Sequence, residues 1–217
     1  MPEVNLQYTE CLRCGHRWLP RRKEVRICPK CKSAYWDKPR KGQDSSLKVE
    51  EQRADYRNTD FEDFLGLLNE HGVNYCIVGA YAVGFYAEPR TTKDIDIFVG
   101  ISDQDAEGLC KALREFGLDD PSITPGLIKT KGKLFRIGAP PNRIEILNAI
   151  DGVVSADVLA RKVKGKYGRK DAFYIGLDEL IKNKRAIKGK DLRKNSSDAV
   201  DYANLLKVRP AKDGGKK

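Results

Sequence analysis

Residues 94–99, Asp-Ile-Asp-Ile-Phe-Val, open with a strict alternation of acidic and apolar side chains. In a β-strand successive side chains point to opposite faces, so Asp94 and Asp96 share one face while Ile95 and Ile97 share the other. Strand rise places the two acid-bearing backbones roughly 6–7 Å apart. Two unpaired carboxylates at that separation repel by about a few kcal/mol at an intermediate dielectric. A cation removes the conflict. Mg²⁺ (or Mn²⁺) is the natural choice, being hard, oxygen-seeking and usually completed by substrate phosphates and water. A second alternating run, Arg143-Ile144-Glu145-Ile146-Leu147-Asn148, carries one acid, which makes Glu145 the candidate third member of a carboxylate cluster.

Four of the six cysteines form a second constellation: Cys11 and Cys14 in CLRC, Cys28 and Cys31 in CPKC. Two CxxC knuckles at this separation read as a tetrahedral zinc site, because soft thiolates suit Zn²⁺ and each short spacing brings two sulfurs to one ion. Gly15 after the first pair and Pro29 inside the second fit tight knuckles. A reducing compartment argues against disulfides, and matched pairs argue against a lone redox motif. A segment this small has no hydrophobic core, so metal binding must supply its folding energy. Trp18, Tyr35 and Trp36 are interleaved with Arg13, Arg17, Arg21, Arg22, Arg26, Lys32, Lys38 and Arg40. Such a mixture can stack bases and neutralise phosphates, dock a protein, or simply form the core of the segment. His16 is expected beside the zinc site, not in it. Cys76 and Cys110 sit in apolar patterns and read as core.

Other chemistries find no support. The two histidines, His16 and His71, belong to no motif, and no Ser-His-Asp arrangement is apparent. The GxxxxG of Gly79–Gly84 continues as Phe-Tyr instead of Lys-Ser/Thr, so it is not a P-loop.

The elements that must position these residues follow from periodicity. Thr59 and Glu62 have capping-box spacing, Phe61, Phe64, Leu65 and Leu68 form a helical stripe, and Gly72 stops it. Residues 74–79 read as a short strand and 79–88 as a helix whose small residues allow close approach. Ser102 caps a helix with Ala106, Leu109, Cys110, Leu113 and Phe116 on its apolar face, closed by Gly117. Strands are expected at 133–138 and 143–148, helices at 155–163, 177–188 and 191–206, and a hairpin between the first two of those helices. Asp198 and Asp201 are expected at the surface.

The 217 residues suit one ordinary domain with a small appendage, or two small domains. With 40% hydrophobic and 33% charged residues the chain is globular in class, and no stretch approaches the roughly 20 apolar residues of a membrane span. No secretory signal is visible, so a cytoplasmic protein is expected. The formal net charge is +10, divided as +6 over residues 1–45, −7 over 46–160 and +11 over 161–217. An acidic middle between basic ends fits an acidic site flanked by surfaces that grip a polyanion, or basic ends that serve solubility alone.

Residues 76–99, CIVGAYAVGFYAEPRTTKDIDIFV, resemble the signature of the DNA polymerase β-like nucleotidyltransferase superfamily, in particular its small prokaryotic branch with a Pro-Arg-x-Thr-x-Asp-hydrophobic-Asp segment. LIKNKRAIKGKD (180–191) is similar to a segment that precedes the last helix of that branch, and the resemblance spans roughly 58–207. Residues 11–40 resemble a small bacterial and archaeal zinc-ribbon type. The first resemblance implies that Asp94 and Asp96 hold divalent metal, that Glu145 completes the site and helps deprotonate an acceptor hydroxyl, and that Gly79 and Ala80 bring backbone amides to nucleotide phosphates. Arg90, Thr92 and Lys93 lie where substrate contacts are expected, although Arg90 could instead brace the loop. Lys184 could meet a triphosphate or belong to a solvated basic face. Two positions depart from the pattern: Ala80 replaces a Gly or Ser, and Glu145 replaces the commoner Asp.

The expected architecture is α+β: a zinc ribbon over 1–42, a linker over 43–57, a nucleotidyltransferase domain with mixed sheet and C-terminal helices over 58–208, and a disordered tail over 209–217. The expected activity is Mg²⁺-dependent transfer of a nucleoside monophosphate from an NTP to an acceptor hydroxyl on RNA or protein, an aminoglycoside-like small molecule being a further option. The branch implies a role in toxin–antitoxin or defence pairs, hence a regulatory protein partner. The alternative is a non-catalytic adaptor in which the ribbon binds nucleic acid or protein.

Overall fold

The computed structural model describes residues 9–18, 25–38, 58–132, 134–190 and 196–209. The expected linker, residues 210–217 of the expected tail, and Arg21, Arg22 and Arg40 lie outside them.

The N-terminal segment forms a two-stranded antiparallel ribbon, β1 (Thr9–Glu10) and β2 (Arg17–Trp18). Helix α1 (Thr59–Glu70) leads into β3 (Tyr75–Val78), α2 (Gly79–Tyr86) and β4 (Asp94–Val99). Helices α3 (Asp103–Phe116) and α4 (Pro125–Lys129) precede β5 (Leu134–Ile137) and β6 (Arg143–Leu147). After α5 (Ser155–Ala160) come the hairpin β7 (Val163–Tyr167) and β8 (Lys170–Tyr174), then α6 (Leu177–Lys190) and α7 (Ser197–Val208). The long strands make one six-stranded sheet in the order β5-β6-β4-β3-β8-β7. β4 is parallel to β6 and antiparallel to β3, which is itself parallel to β8. The chain is thus α+β with a mixed sheet and C-terminal helices, as its sequence led one to expect. No helix among the described residues is long and apolar enough to cross a membrane.

Local chemistry accounts for most boundaries, and for several shifts from the sequence reading. Asn58, not Thr59, caps α1: its side chain accepts from the Asp60 N–H at 3.0 Å, which frees Glu62 from the expected capping box. Glu62 instead reaches the β7–β8 turn and accepts from the Arg169 N–H at 3.1 Å. The α3 reading holds, with a complete Ser102–Asp105 capping box and Gly117 in the left-handed region at φ 107°. Helix α5 stops at Ala160 because Val163 already pairs with Tyr174 in the hairpin. Ser196 starts α7 by accepting from the Ala199 N–H at 3.3 Å. Residues 191–195 of the expected helix lie outside the described residues. Helix α4 was not anticipated, although Thr124 as cap and Pro125 in its first turn are a recognisable start signal.

The core lies between the sheet and its helices. Phe61, Phe64, Leu65 and Leu68 of α1 are buried, as are Ile95 and Ile97 of β4 and Ile144 and Ile146 of β6. Cys76 and Cys110 belong to this core. The ribbon is fastened to it: Tyr35 packs edge-on against Phe116 at 4.6 Å between ring centroids. Arg13 donates to the Tyr35 carbonyl at 2.9 Å and pairs with Asp60 at 3.0 Å and Asp63 at 3.2 Å.

Candidate active site

The parallel register of β4 and β6 sets Asp94 opposite Arg143 and Asp96 opposite Glu145. Apolar partners fall on the other face, so alternation in both strands sends isoleucines to the core and charged side chains to the sheet's open side. On the other flank, Val78 at the end of β3 pairs with Asp96. The next residue, Gly79, has φ +65°, and a Cβ built on it would stand 2.0 Å from Asp96 Oδ2. Backbone conformation and space both demand glycine there. The turn it makes delivers the first turn of α2 to the Asp96 carboxylate. Val78 at the helix N-cap makes no side-chain cap bond, so the leading amides of α2 are left to other partners.

These elements enclose a cleft of about 490 Å³, lined by Gly79, Ala80, Arg90, Thr92, Asp94, Asp96 and, from α6 and α7, Asn183, Lys184 and Asp198. Burial, followed by the neighbouring charges of Asp94 and Glu145, pushes the Asp96 carboxyl up to about 6, with Lys184 and Arg143 offsetting part of the effect. Among the described residues Asp96 forms no ion pair. Thr92 Oγ1 donates to Asp94 Oδ1 at 3.0 Å.

Arg143 was not singled out from the sequence. Its Nη2 contacts Asp94 Oδ2 and lies 2.8 Å from Glu145 Oε1, so one guanidinium bridges two of the three carboxylates. Arg136 Nε pairs with Glu145 as well, at 3.1 Å. The signal was present in the alternation of 143–148, which puts Arg143 and Glu145 on one face. The donor set suits a hard cation: three carboxylates on adjacent strands, one of them half-buried and, among the described residues, without an ion pair. A metal would compete with Arg143 for Asp94 and Glu145.

Lys184 is neither solvated nor free. Its Nζ lies 2.6 Å from Asp198 Oδ1 and 2.9 Å from Asp201 Oδ2, with its side chain 4% exposed. Asp201 in turn accepts two hydrogen bonds from Arg90, at 2.9 and 3.0 Å. Burial would raise the Asp201 carboxyl, but the bonds from Arg90 and Lys184 outweigh it and hold it below the usual range. The expectation that Asp201 is a surface residue is therefore corrected, while Asp198 is half-buried at the cleft. Their i, i+3 spacing turns both toward Lys184 across the α6–α7 contact. Arg90 both braces its loop and lines the cleft. Lys93 is exposed and lines neither this cleft nor its neighbour.

The four cysteines form a separate centre. Their sulfurs all lie within 4.8 Å of one another, with Cys11–Cys31 and Cys14–Cys28 each at 3.7 Å. A tetrahedron with Zn–S bonds of about 2.3 Å has sulfur–sulfur edges of about 3.8 Å. The two knuckles repeat one geometry: Cys11 N–H donates to His16 O and Gly15 N–H to Cys11 O, while Cys28 N–H donates to Ser33 O and Lys32 N–H to Cys28 O. Gly15 and Lys32 occupy equivalent left-handed positions, at φ 68° and 61°. The surroundings suit a structural Zn²⁺. Among the described residues no other group of three or more His, Cys, Asp or Glu brings its donor atoms this close together. The aromatic–basic mixture is partly consumed by the fold: Arg13 and Tyr35 are buried, and Trp36 Nε1 donates to the Val25 carbonyl at 3.0 Å.

No family model matches the chain, and no curated protein matches it. Among solved structures, the chain is similar to the crystal structure of the lincosamide antibiotic adenylyltransferase LnuA with lincomycin bound. The TM-score is 0.43 at 15% identity, over 70% of this chain and 97% of that one.

Proposed function

We propose that the protein is a nucleotidyltransferase that moves a nucleoside monophosphate from an NTP to an acceptor hydroxyl. The observation that carries this reading is the junction of Gly79 with Asp96. A glycine turn with no room for a side chain aims the first turn of a helix at a half-buried carboxylate, with Asp94 and Glu145 on the same open face of the sheet. In the sequence resemblance the same three elements serve nucleotide and metal. When bound, Mg²⁺ (or Mn²⁺) supplies charge neutralisation of the phosphates and polarisation of the reacting oxygens. Asp94, Asp96 and Glu145 would hold it.

The chain's own residues do the rest. Amides at Gly79 and Ala80 receive phosphate oxygens, where the helix dipole favours negative charge. Thr92 orients Asp94 through its hydroxyl. Lys184, already shared between Asp198 and Asp201, fixes the cleft wall and lowers the cost of ionising Asp96, so its part is in positioning more than in direct phosphate contact. Glu145 accepts the proton of the attacking hydroxyl once Arg143 has withdrawn. The acceptor is a macromolecule, RNA or protein, in keeping with the basic flanks. The role is in a toxin–antitoxin or defence system, with a protein partner that restrains the activity. The protein is cytoplasmic and its ribbon carries Zn²⁺.

The bridging of Asp94 and Glu145 by Arg143 favours a second reading, in which the cluster is charge-balanced without metal and the protein is a non-catalytic adaptor. The test incubates the full chain with each α-labelled NTP, Mg²⁺ and host RNA and protein extracts, beside the Asp94→Ala/Asp96→Ala double variant. A labelled product made only by the intact chain supports transfer and identifies the acceptor class. No label with any NTP, on protein with full zinc content, moves the conclusion to the adaptor.

A further inference from the structure

A second cleft, of about 710 Å³, opens beside the first and shares Ala80, Arg90 and Thr92 with it. Pro141 and Asn142 of the turn between β5 and β6 also line it. Ile137 and Ile144 are the last partners of the β5–β6 ladder, and Gly138, Ala139, Pro140 and Pro141 beyond Ile137 are exposed. The turn closes on itself through the Asn142 N–H, which donates to the Ala139 carbonyl at 3.0 Å. The ribbon then ties it down. The Asn142 side chain donates to the Cys31 carbonyl at 3.0 Å, and Ala34 lies beside Gly138, its Cβ 3.8 Å from where a Cβ on that glycine would stand. Arg143, whose guanidinium bridges Asp94 and Glu145, follows Asn142 directly. One backbone carbonyl of a cysteine knuckle therefore holds both a wall of the second cleft and the start of the strand that carries the bridge.

Cys31 is also the sulfur most open to attack. Cys11 and Cys28 are buried, whereas Cys14 and Cys31 are half-buried. Lys30 and Lys32 flank Cys31, Arg26 lies in the same knuckle, and all three are exposed. Residues 25–36 carry no acid. Cys14 has a weaker setting, because Arg13 beside it is committed to Asp60 and Asp63. Reactive thiolates sit in electropositive, partly exposed surroundings, and Cys31 meets both conditions. A second sulfur is in place to complete a disulfide: Cys11 Sγ lies 3.7 Å from Cys31 Sγ. The ribbon supplies the two states a regulatory device needs, since a segment of this size folds around Zn²⁺ and loses its fold without it.

We infer that the ribbon is a peroxide-sensitive latch on the second cleft, with Cys31 as both the sensing thiolate and the residue that holds the turn. The Cys31 thiolate attacks one oxygen of a peroxide. The O–O bond breaks, the sulfur becomes a sulfenic acid and hydroxide leaves. The Cys11 thiolate then attacks that sulfur, closes the disulfide and expels a second hydroxide. The two thiolates give up two electrons between them, and the peroxide is reduced to two hydroxides that solvent protonates to water. Only two thiolates remain for the ion, so Zn²⁺ leaves and the knuckle opens. Asn142 loses the Cys31 carbonyl, and the wall of the cleft at Pro141 and Asn142 loosens. Reduction of the disulfide and return of Zn²⁺ reset the latch.

The test treats the zinc-loaded full chain with hydrogen peroxide beside a chromogenic zinc chelator. Hydrogen exchange over residues 138–143 is followed by mass spectrometry before oxidation, after it, and after repair with dithiothreitol and added Zn²⁺. About one Zn²⁺ per chain is released, a Cys11–Cys31 disulfide appears in the peptide map, and the thiols of Cys76 and Cys110 stay intact. Exchange over 138–143 rises on oxidation and returns on repair. Lys30→Glu slows the release of zinc. Asn142→Ala releases zinc as the unsubstituted chain does, with no further rise in exchange. Zinc retained under peroxide, a first disulfide that omits Cys31, zinc lost with exchange over 138–143 unchanged, or failure to recover on repair would each overturn the inference.

Discussion

Gly79 and Asp96 are closer than any side chain at position 79 could permit: the modest volume of one methyl group would coincide with the Asp96 carboxylate, 2.0 Å from Oδ2. The contact joins the end of β3, the start of α2 and the middle of β4 at a single point. Gly79→Ala is expected to cost about 1–2 kcal/mol from the left-handed backbone alone, and to abolish NTP binding by pushing Asp96 aside. Ala80→Gly, one residue on, is expected to keep binding. Thermal melts and calorimetric titration with Mg²⁺–NTP separate the two effects, and retained NTP affinity in Gly79→Ala would contradict the assignment.

The Asp96 carboxyl titrates near 6 in the fold, against 3.8 for an ordinary aspartate. A raised value means that the folded state binds the proton more tightly, so the metal-free protein pays nothing below pH 3.8, loses stability as pH rises from 3.8 to 6, and carries the full cost above it. Asp96→Asn is therefore expected to stabilise metal-free protein at pH 7.5 by about 3 kcal/mol, with the gain vanishing near pH 4. Urea denaturation across that range is the measurement. A gain independent of pH would assign it to packing.

Arg13 sits between the two cysteines of the first knuckle, yet its guanidinium is buried against Asp60 and Asp63 of α1. Arg13→Ala leaves a buried carboxylate without its partner and is expected to destabilise the protein by about 3 kcal/mol. The four thiols remain, so zinc stoichiometry is expected to stay at one per chain. Loss of zinc in this variant would mean that the ribbon depends on its docking to fold.

Lys32 holds a left-handed conformation in the second knuckle at the position where Gly15 stands in the first. Lys32→Gly is expected to stabilise the zinc-bound protein by up to about 1 kcal/mol, read as slower zinc loss to a chelator. Gly15→Lys is expected to speed that loss.

Asn142 Nδ2 donates to the carbonyl of Cys31 at 3.0 Å, tying a knuckle to the Pro140–Pro141 turn that lines the second cleft. Zinc removal is expected to raise hydrogen exchange over residues 138–143. In Asn142→Ala the exchange is expected to be high with or without zinc. Unchanged exchange on chelation would separate the ribbon from the cleft.

What could be read from the sequence was local. The alternation of Asp94 and Asp96 with Ile95 and Ile97, the Ser102 cap and the paired CxxC knuckles each carry their signal within a few residues. What escaped depends on partners far away in the chain. Asn58 caps α1 in place of Thr59, and Glu62, the other half of the expected box, is engaged at the turn by Arg169, 107 residues away. The burial of Lys184 requires α7, and that of Arg13 requires α1. Arg143 could have been found, since it shares a strand face with Glu145, but a search for carboxylates passes over the cation between them.

Arg90 and its partner Asp201 are 111 residues apart. During synthesis the acids of β4 and the glycine turn emerge early, while the carboxylates that engage Lys184 and Arg90 arrive with the last helix. Until α7 clears the ribosome, one wall of the cleft holds two cations without their counter-charges. A nascent chain cannot complete this site, and a chain cut short before Ser197 would keep every acid of the β4–β6 cluster and still lack the network that closes the cleft.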